Sequence, residues 1–177
     1  MKISYLLLGV GNKGGSLVLY NFMDNLVKRG HEVHAVFPDR NIKWEVEIWK
    51  EWLKQENSSL KRVLKFLKKK VVEFIPKRVL KYQKNRIDQR SLRGLIENWE
   101  NSDITVATFY LTAYIAYYLS DRTVPLYHMQ HFEELFVQDK KERLVARNTY
   151  YLPLIKIANS SWLKNIMREH FNGKTYL

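Results

Sequence analysis

The chain has 177 residues and no cysteine, which excludes a disulfide framework, a thiolate nucleophile and a zinc site built on sulfur. Apolar residues make up 46% of the sequence, enough for one domain with a core and too many for an intrinsically disordered chain. The net charge is +12, and its excess is local: residues 60–90 contain twelve basic and two acidic residues. A local excess of charge indicates a local function.

The first 37 residues have the pattern of a strand, a helix and a second strand. Residues 3–10 are nearly all apolar, which is typical of a strand buried on both faces, and residues 31–37 alternate like a second strand. Between them apolar residues recur at helical spacing until Lys28-Arg29-Gly30 ends the helix. This βαβ unit predicts a parallel sheet with a right-handed crossover.

A glycine-rich loop of the form G-x-G-x-x-G joins the first strand to the helix. Its glycines are Gly9, Gly11 and Gly14, followed by Gly15. Glycines let the backbone approach a phosphate, and the unpaired N–H groups at a helix N-terminus attract an anion. We expect an anionic ligand near Gly14 and Gly15, with Ser16 as the helix cap. A tight turn without a ligand is the alternative, and a dinucleotide site would also use an acid such as Asp39.

The middle of the chain, residues 44–99, predicts a helical insertion in this α/β frame. Residues 60–75 place apolar side chains at helical spacing with lysines opposite, until Pro76 ends the helix. Such a basic amphipathic helix suits an anionic membrane surface. The expected membrane contacts are Arg62, Lys65, Lys68 and Lys69. The alternatives are a packed helix with a solvated lysine face, and nucleic-acid binding, which the near-neutral remainder of the chain argues against.

Alternating strands and helices resume after the insertion. Strands are predicted at 103–109, 124–129 and 154–158, and helices at 111–119, 140–151 and 162–171, the last of them capped by Asn159-Ser160-Ser161. The whole chain, residues 1–177, is therefore predicted to be one α/β domain. It would be a Rossmann-like parallel sheet with helices on both faces, plus the basic helical insertion.

A polar cluster, residues 127–134, stands at the end of the strand predicted at 124–129. Ligands of open parallel sheets bind at the carboxyl ends of strands, and histidine, glutamine and glutamate can bind hydroxyls and move protons. Either His131 or Glu133 is expected to take part in function. The alternatives are loop residues with one histidine packed in the core, or a His-x-x-His metal site. The sequence offers no third ligand for the latter, so we predict no metal.

Three stretches of the sequence resemble glycosyltransferases of the GT-B fold, family 4 (group 1) type. They are Gly14-Gly15-Ser16 with Arg29-Gly30-His31-Glu32-Val33, then Gln130-His131-Phe132-Glu133 as a Q-x-x-E motif, and Ile157-Ala158-Asn159-Ser160-Ser161-Trp162-Leu163 as an A-N-S-x-x-L stretch. The resemblance covers about residues 1–40 and 103–177. The lysine-rich middle is not part of it.

The resemblance implies an enzyme with two Rossmann-like domains, of which this chain is the N-terminal, acceptor-side domain without the C-terminal donor domain. It implies that Gly14, Gly15 and Ser16 lie near the donor phosphates. It also implies that His131 and Glu133 are catalytic. In the same cluster, His128 and Gln130 are expected to bind the acceptor.

The function implied is transfer of a sugar, of hexosyl type, from a nucleotide-sugar to a hydroxyl of a cell-envelope or lipid-linked glycan. We expect retention of configuration and no metal or other cofactor. The chain alone is expected to be inactive without the missing domain or a partner subunit. A cytoplasmic location, peripheral to the inner face of the membrane, is expected. The alternatives are an NAD(P)-binding oxidoreductase domain and a basic nucleic-acid-binding module.

Overall fold

The computed structural model describes residues 1–11, 14–56, 90–171 and 174–177. The basic stretch lies almost entirely outside the described residues. The expected membrane contacts at Arg62, Lys65, Lys68 and Lys69 fall there and remain predictions. Of the predicted insertion at 44–99, only the two ends, 44–56 and 90–99, are described.

The described residues form an α/β fold around one sheet. Its strands are β1 (Lys2–Leu6), β2 (Glu32–Phe37), β3 (Arg40–Lys43), β4 (Ile104–Ala107), β5 (Val124–Met129), β6 (Ile155–Ala158) and β7 (Thr175–Tyr176). The order across the sheet is β3-β2-β1-β4-β5-β6-β7. Neighbouring strands are parallel except for the antiparallel pair of β2 and β3. The predicted Rossmann-like α/β fold is confirmed.

Helices cover both faces of the sheet. They are α1 (Gly14–Lys28), α2 (Ile48–Glu56), α3 (90–98), α4 (Tyr110–Tyr118), α5 (Lys140–Asn148) and α6 (Ser161–His170), with 3-10 turns at Glu133–Phe136 and Thr149–Tyr151. Because side chains alternate along a strand, the sheet has one apolar cluster on each face. One cluster contains Tyr5 and Met23 of α1, and the other contains Leu6 with Ala113 of α4 and Met167 of α6.

Some element boundaries differ from the prediction, and two edge strands were not predicted. β1 ends at Leu6 rather than Val10, although the Leu7 N–H still donates to the Val36 carbonyl of β2 at 2.9 Å. α1 begins at Gly14, which places Ser16 in its first turn and not at its cap. The edge strands β3 and β7 were missed because each is very short and carries little apolar pattern. The prediction that Ser160 caps the last helix is confirmed, since its Oγ accepts from the Leu163 N–H.

The N-terminal end of the predicted insertion is bound to the domain core by a buried carboxylate. Trp44 and Trp49 donate from their indole nitrogens to the two oxygens of Asp24 in α1, at 2.7 and 3.0 Å. The Glu47 N–H donates to the same carboxylate at 3.1 Å, from a residue whose φ is +65°. Asp24 is 4% exposed. These three donors hold residues 44–49 against α1.

Replacing Asp24 with alanine is expected to lower the free energy of unfolding by about 3 kcal/mol, because buried indole N–H groups would lose a charged acceptor. Asp24→Asn keeps a carbonyl acceptor and should fall between this variant and the wild type. Urea denaturation measures both, with the exposed Asp121→Ala as the matched control. Equal stability of Asp24→Ala and Asp121→Ala would contradict the role given to this carboxylate.

Candidate functional site

A cleft of about 780 Å3 opens at the carboxyl ends of β1, β4 and β5. From β1 the strand order runs to β2 on one side and to β4 on the other, and the helices that follow β1 and β4 lie on opposite faces of the sheet. Open α/β sheets bind their ligands at the point where the strand order reverses in this way. The cleft is lined by residues 7–9, 15, 16 and 19 on one side, and by 108–110, 130, 131, 133, 136–139 and 142 on the other.

The first turn of α1 forms one wall of the cleft through Gly15 and Ser16. Backbone N–H groups in a first helical turn have no partner within the helix and carry partial positive charge. Before the helix, the Gly11 N–H donates to the Tyr20 hydroxyl of α1 at 3.0 Å. Gly14 begins the same helix but does not line the cleft. Two of the three residues expected at a phosphate site therefore border this cleft.

Glu133 forms part of the opposite wall and is 4% exposed. Its Oε2 accepts from the backbone N–H of Tyr110, the first residue of α4, at 2.6 Å. Burial raises the pKa of Glu133 from 4.5 to about 7, although this hydrogen bond and the Tyr127 hydroxyl partly oppose the rise. A carboxyl with this pKa can take or give a proton near neutral pH. Glu133 therefore occupies the N-terminus of α4, whereas Gly15 and Ser16 of α1 line the cleft.

Gln130 lines the cleft and is 8% exposed. Its Nε2 has no hydrogen-bond partner among the described residues, and a Cβ placed on Gly15 would lie 3.6 Å from its Oε1. Its backbone is held by Asn159, whose Nδ2 donates to the Gln130 carbonyl at 2.7 Å. A buried amide donor without a partner is costly, so an oxygen acceptor from a ligand or solvent fits here. Gln130 thus lines the cleft, and its expected role in binding the acceptor stays a prediction.

The two histidines of the cluster have different surroundings. His131 is exposed, lines the cleft, and has its ring 5.2 Å from that of Phe136. His128 is 2% exposed and packs edge-on against Phe22 of α1, with ring centroids 4.8 Å apart. Burial lowers the pKa of His128 from 6.5 to about 4.

His128 does not line the cleft, so the structure corrects its assignment as an acceptor-binding residue. The physical reason is that β5 still forms the sheet at this position and directs the ring into the space beneath α1. His128 therefore fits the alternative stated from the sequence, in which one histidine of the cluster is packed in the core. In the described ranges, no group of three or more histidine, aspartate or glutamate side chains could hold a metal ion.

Sequence reasoning missed the wall formed by residues 136–142. Asp139 caps α5, accepting from the Lys141 and Glu142 N–H groups at 3.0 and 3.1 Å, and Glu142 accepts from the Tyr110 hydroxyl. The D-x-x-E spacing could have marked a helix start. It could not place these carboxylates opposite Gly15. Among the described residues that line the cleft there is no lysine or arginine.

Comparisons of the chain with protein-family models, with curated proteins and with solved structures gave no match. Within the part of the chain that the structure describes, no helix has the length and apolar character needed to cross a membrane.

Proposed function

We propose that this chain is the acceptor-side domain of a glycosyltransferase that moves a sugar from a nucleotide-sugar to a hydroxyl of a cell-envelope or lipid-linked acceptor. The observation that carries the proposal is the pairing of two groups across one cleft. Gly15 and Ser16 in the first turn of α1 line the same cleft as Glu133, whose carboxyl is buried. The resemblance in sequence to family 4 type glycosyltransferases supports the same function.

The two walls would divide the reaction between them. The bond between the anomeric carbon and the diphosphate oxygen breaks, and negative charge collects on the diphosphate, which the α1 N–H groups stabilise. The acceptor oxygen forms the new bond to the anomeric carbon and gives its proton to Glu133 or to the departing phosphate. His131 and Gln130 would orient the acceptor hydroxyls. A second domain or subunit would complete the donor site.

The NAD(P) alternative has less support. A dinucleotide site uses an acid near the end of β2 to bind the ribose. Asp39 follows β2 but lies in the turn to β3 and does not line the cleft. Its carboxylate accepts a hydrogen bond from the Arg40 guanidinium at 2.8 Å. The nucleic-acid alternative depends on basic residues that are mostly outside the described part of the chain.

The proposal predicts that Gly15→Ala lowers affinity for nucleoside diphosphates without harming the fold. A Cβ at Gly15 would make only an ordinary contact with Gln130, and alanine is the better helix former by about 1 kcal/mol. The added methyl group would nevertheless occupy the space through which a phosphate reaches the N–H groups. We expect affinity for UDP, GDP and UDP-glucose to fall about tenfold or more, equivalent to ~1.4 kcal/mol, by calorimetric titration.

Gly14→Ala is the matched control for this experiment. Gly14 shares the first turn of α1, has open space around its Cβ position and does not line the cleft. Its substitution should leave nucleotide affinity unchanged while giving a similar gain in helix stability. Equal affinities of the two variants would contradict the phosphate site. Tight binding of NAD in place of the UDP and GDP compounds would favour the NAD(P)-binding oxidoreductase alternative.

A further inference from the structure

A second cavity of about 330 Å3, here called the side pocket, opens beside the cleft at the carboxyl ends of β5 and β6. Its apolar wall is made of Phe132, Leu135, Phe136, Trp162 and Leu163. Three residues, Gln130, His131 and Phe136, line both the side pocket and the cleft. The two cavities are therefore neighbours with a common wall, and one extended ligand could occupy both.

The side pocket has a packed aromatic side chain at its back and exposed apolar side chains at its edges. Phe132 at the back stacks on Tyr150 with ring centroids 5.2 Å apart and meets Trp162 edge-on at 6.4 Å. At the edges, Leu135 is 66% exposed, Phe136 is 72% exposed and Trp162 is 58% exposed. Large apolar side chains grouped in this way beside a concave surface mark a binding site more often than an ordinary surface.

The polar residues of the side pocket are Gln130 and His131, which it shares with the cleft, and Asn159 and Ser160, whose side chains are hydrogen-bonded within the fold. Its described lining residues include no aspartate, glutamate, lysine or arginine, whereas Glu133, Asp139 and Glu142 all line the cleft. Gln130 is more than nine-tenths buried at the junction of the two cavities, where its Nε2 has no partner among the described residues. A ligand that passes this junction would need an oxygen there and an apolar part beyond it.

We propose that the side pocket binds the hydrocarbon chain of an amphiphilic acceptor, whose hydroxyl-bearing head occupies the cleft and accepts a hydrogen bond from Gln130 Nε2. This inference rests on the proposed function and specifies the class of its acceptor. A sugar ring in the side pocket would leave most hydroxyls against apolar side chains without partners, and a nucleobase would leave several edge atoms unpaired. A hydrocarbon chain has no such cost and gains from burial.

The test is a calorimetric titration of the wild-type chain with alkyl β-D-glucosides from hexyl to decyl, each at concentrations where it is monomeric. Burial of each methylene is worth about 0.8 kcal/mol, so affinity should rise about three- to fourfold per added CH2 until the side pocket is full. Binding should be one to one. Affinity that does not depend on chain length in the wild type would overturn the proposal.

Two variants and one control assign the effect to the side pocket. Trp162→Ala and Leu135→Ser each remove an exposed edge side chain and should flatten the dependence on chain length. Tyr118→Ser removes an aromatic residue that is 69% exposed and lines neither cavity, and it should behave like the wild type. A dependence on chain length that persists in both edge variants would overturn the proposal. So would displacement of the decyl glucoside by uridine or adenosine.

The failure of this inference can be told apart from failure of the proposed function. Gly15→Ala should keep the full dependence on alkyl chain length, because Gly15 does not line the side pocket. Suppose that the wild type binds no nucleoside diphosphate, but its affinity for alkyl glucosides depends on chain length and Trp162→Ala removes that dependence. The side pocket is then supported and the proposed glycosyl transfer is contradicted. If nucleotides bind and chain length has no effect, the opposite conclusion follows.

Discussion

Replacing Glu133 with glutamine is expected to stabilise the protein by about 2 kcal/mol above pH 7 and to make its stability rise with pH between pH 4.5 and 6.5. In the wild type the folded-state pKa of Glu133 is about 7, against 4.5 for an ordinary glutamate. Between these two values the folded protein holds a proton that the unfolded chain has released. Glu133 therefore favours folding at low pH, and its contribution is lost as the pH rises from about 4.5 to 7.

His128 acts in the opposite direction over nearly the same range. Its folded-state pKa is about 4, against 6.5 for an ordinary histidine. Between these values the unfolded chain holds a proton that the folded protein does not. The contribution of His128 is therefore lost as the pH falls from about 6.5 to 4. Each shift corresponds to roughly 3 kcal/mol, so the two contributions nearly cancel in the wild type.

Single substitutions should separate the two contributions. Glu133→Gln should leave the His128 response, with stability rising by up to about 1.4 kcal/mol per pH unit between pH 4.5 and 6.5. His128→Phe, which keeps a ring against Phe22, should leave the Glu133 response, with stability falling over the same range. The neighbouring Tyr127 and Tyr150 keep their protons there, because burial raises the pKa of both hydroxyls.

The measurement is urea denaturation of the wild type and both variants at half-unit steps from pH 4.5 to 8. Glu51→Gln, at an exposed position of α2, is the control and should follow the wild type. The differences between variants matter, because the remaining titratable groups are common to all. Parallel pH profiles for the wild type and Glu133→Gln would show that Glu133 is not held in the buried position described here.

Replacing Gly94 with alanine is expected to lower the free energy of unfolding by about 3 kcal/mol or more. A Cβ at Gly94 in α3 would lie 2.0 Å from the carbonyl oxygen of Pro38 and 2.9 Å from the carbonyl carbon. These are backbone atoms, which cannot turn aside as a flexible side chain can. The higher helix propensity of alanine, about 1 kcal/mol, is too small to compensate. Helix α3 would have to move away from the turn between β2 and β3.

Such a movement would break contacts on both sides of Gly94. Leu95 is fully buried in the core. Asn98 donates from Nδ2 to the Pro38 carbonyl at 3.1 Å, and the Asn98 carbonyl accepts from Asn41 Nδ2 at 3.1 Å. Urea denaturation should show the loss, with Gly14→Ala as the control glycine that has open space. Stability equal to that of the wild type would contradict the close approach of α3 to Pro38.

Local patterns in the sequence were sufficient for most of the fold. The central strands are continuous apolar runs, the helices have a 3.6-residue period, and the Lys28-Arg29-Gly30 stop and the Ser160 cap depend on a few adjacent residues. The glycine loop and the polar cluster after β5 were also visible, because ligand sites in this type of sheet follow the strands in sequence. These features depend on neighbours along the chain.

The tertiary structure alone decided which of those residues share a site. Asp24 meets Trp44 and Trp49 across 20 and 25 positions, and Glu133 meets the end of α4 across 23. Burial is a property of the packed molecule, so no local pattern could give Glu133 its raised pKa or place His128 beneath α1. The same reason applies to the side pocket. Leu135 and Trp162 become neighbours only when β5 and β6 pair in the sheet.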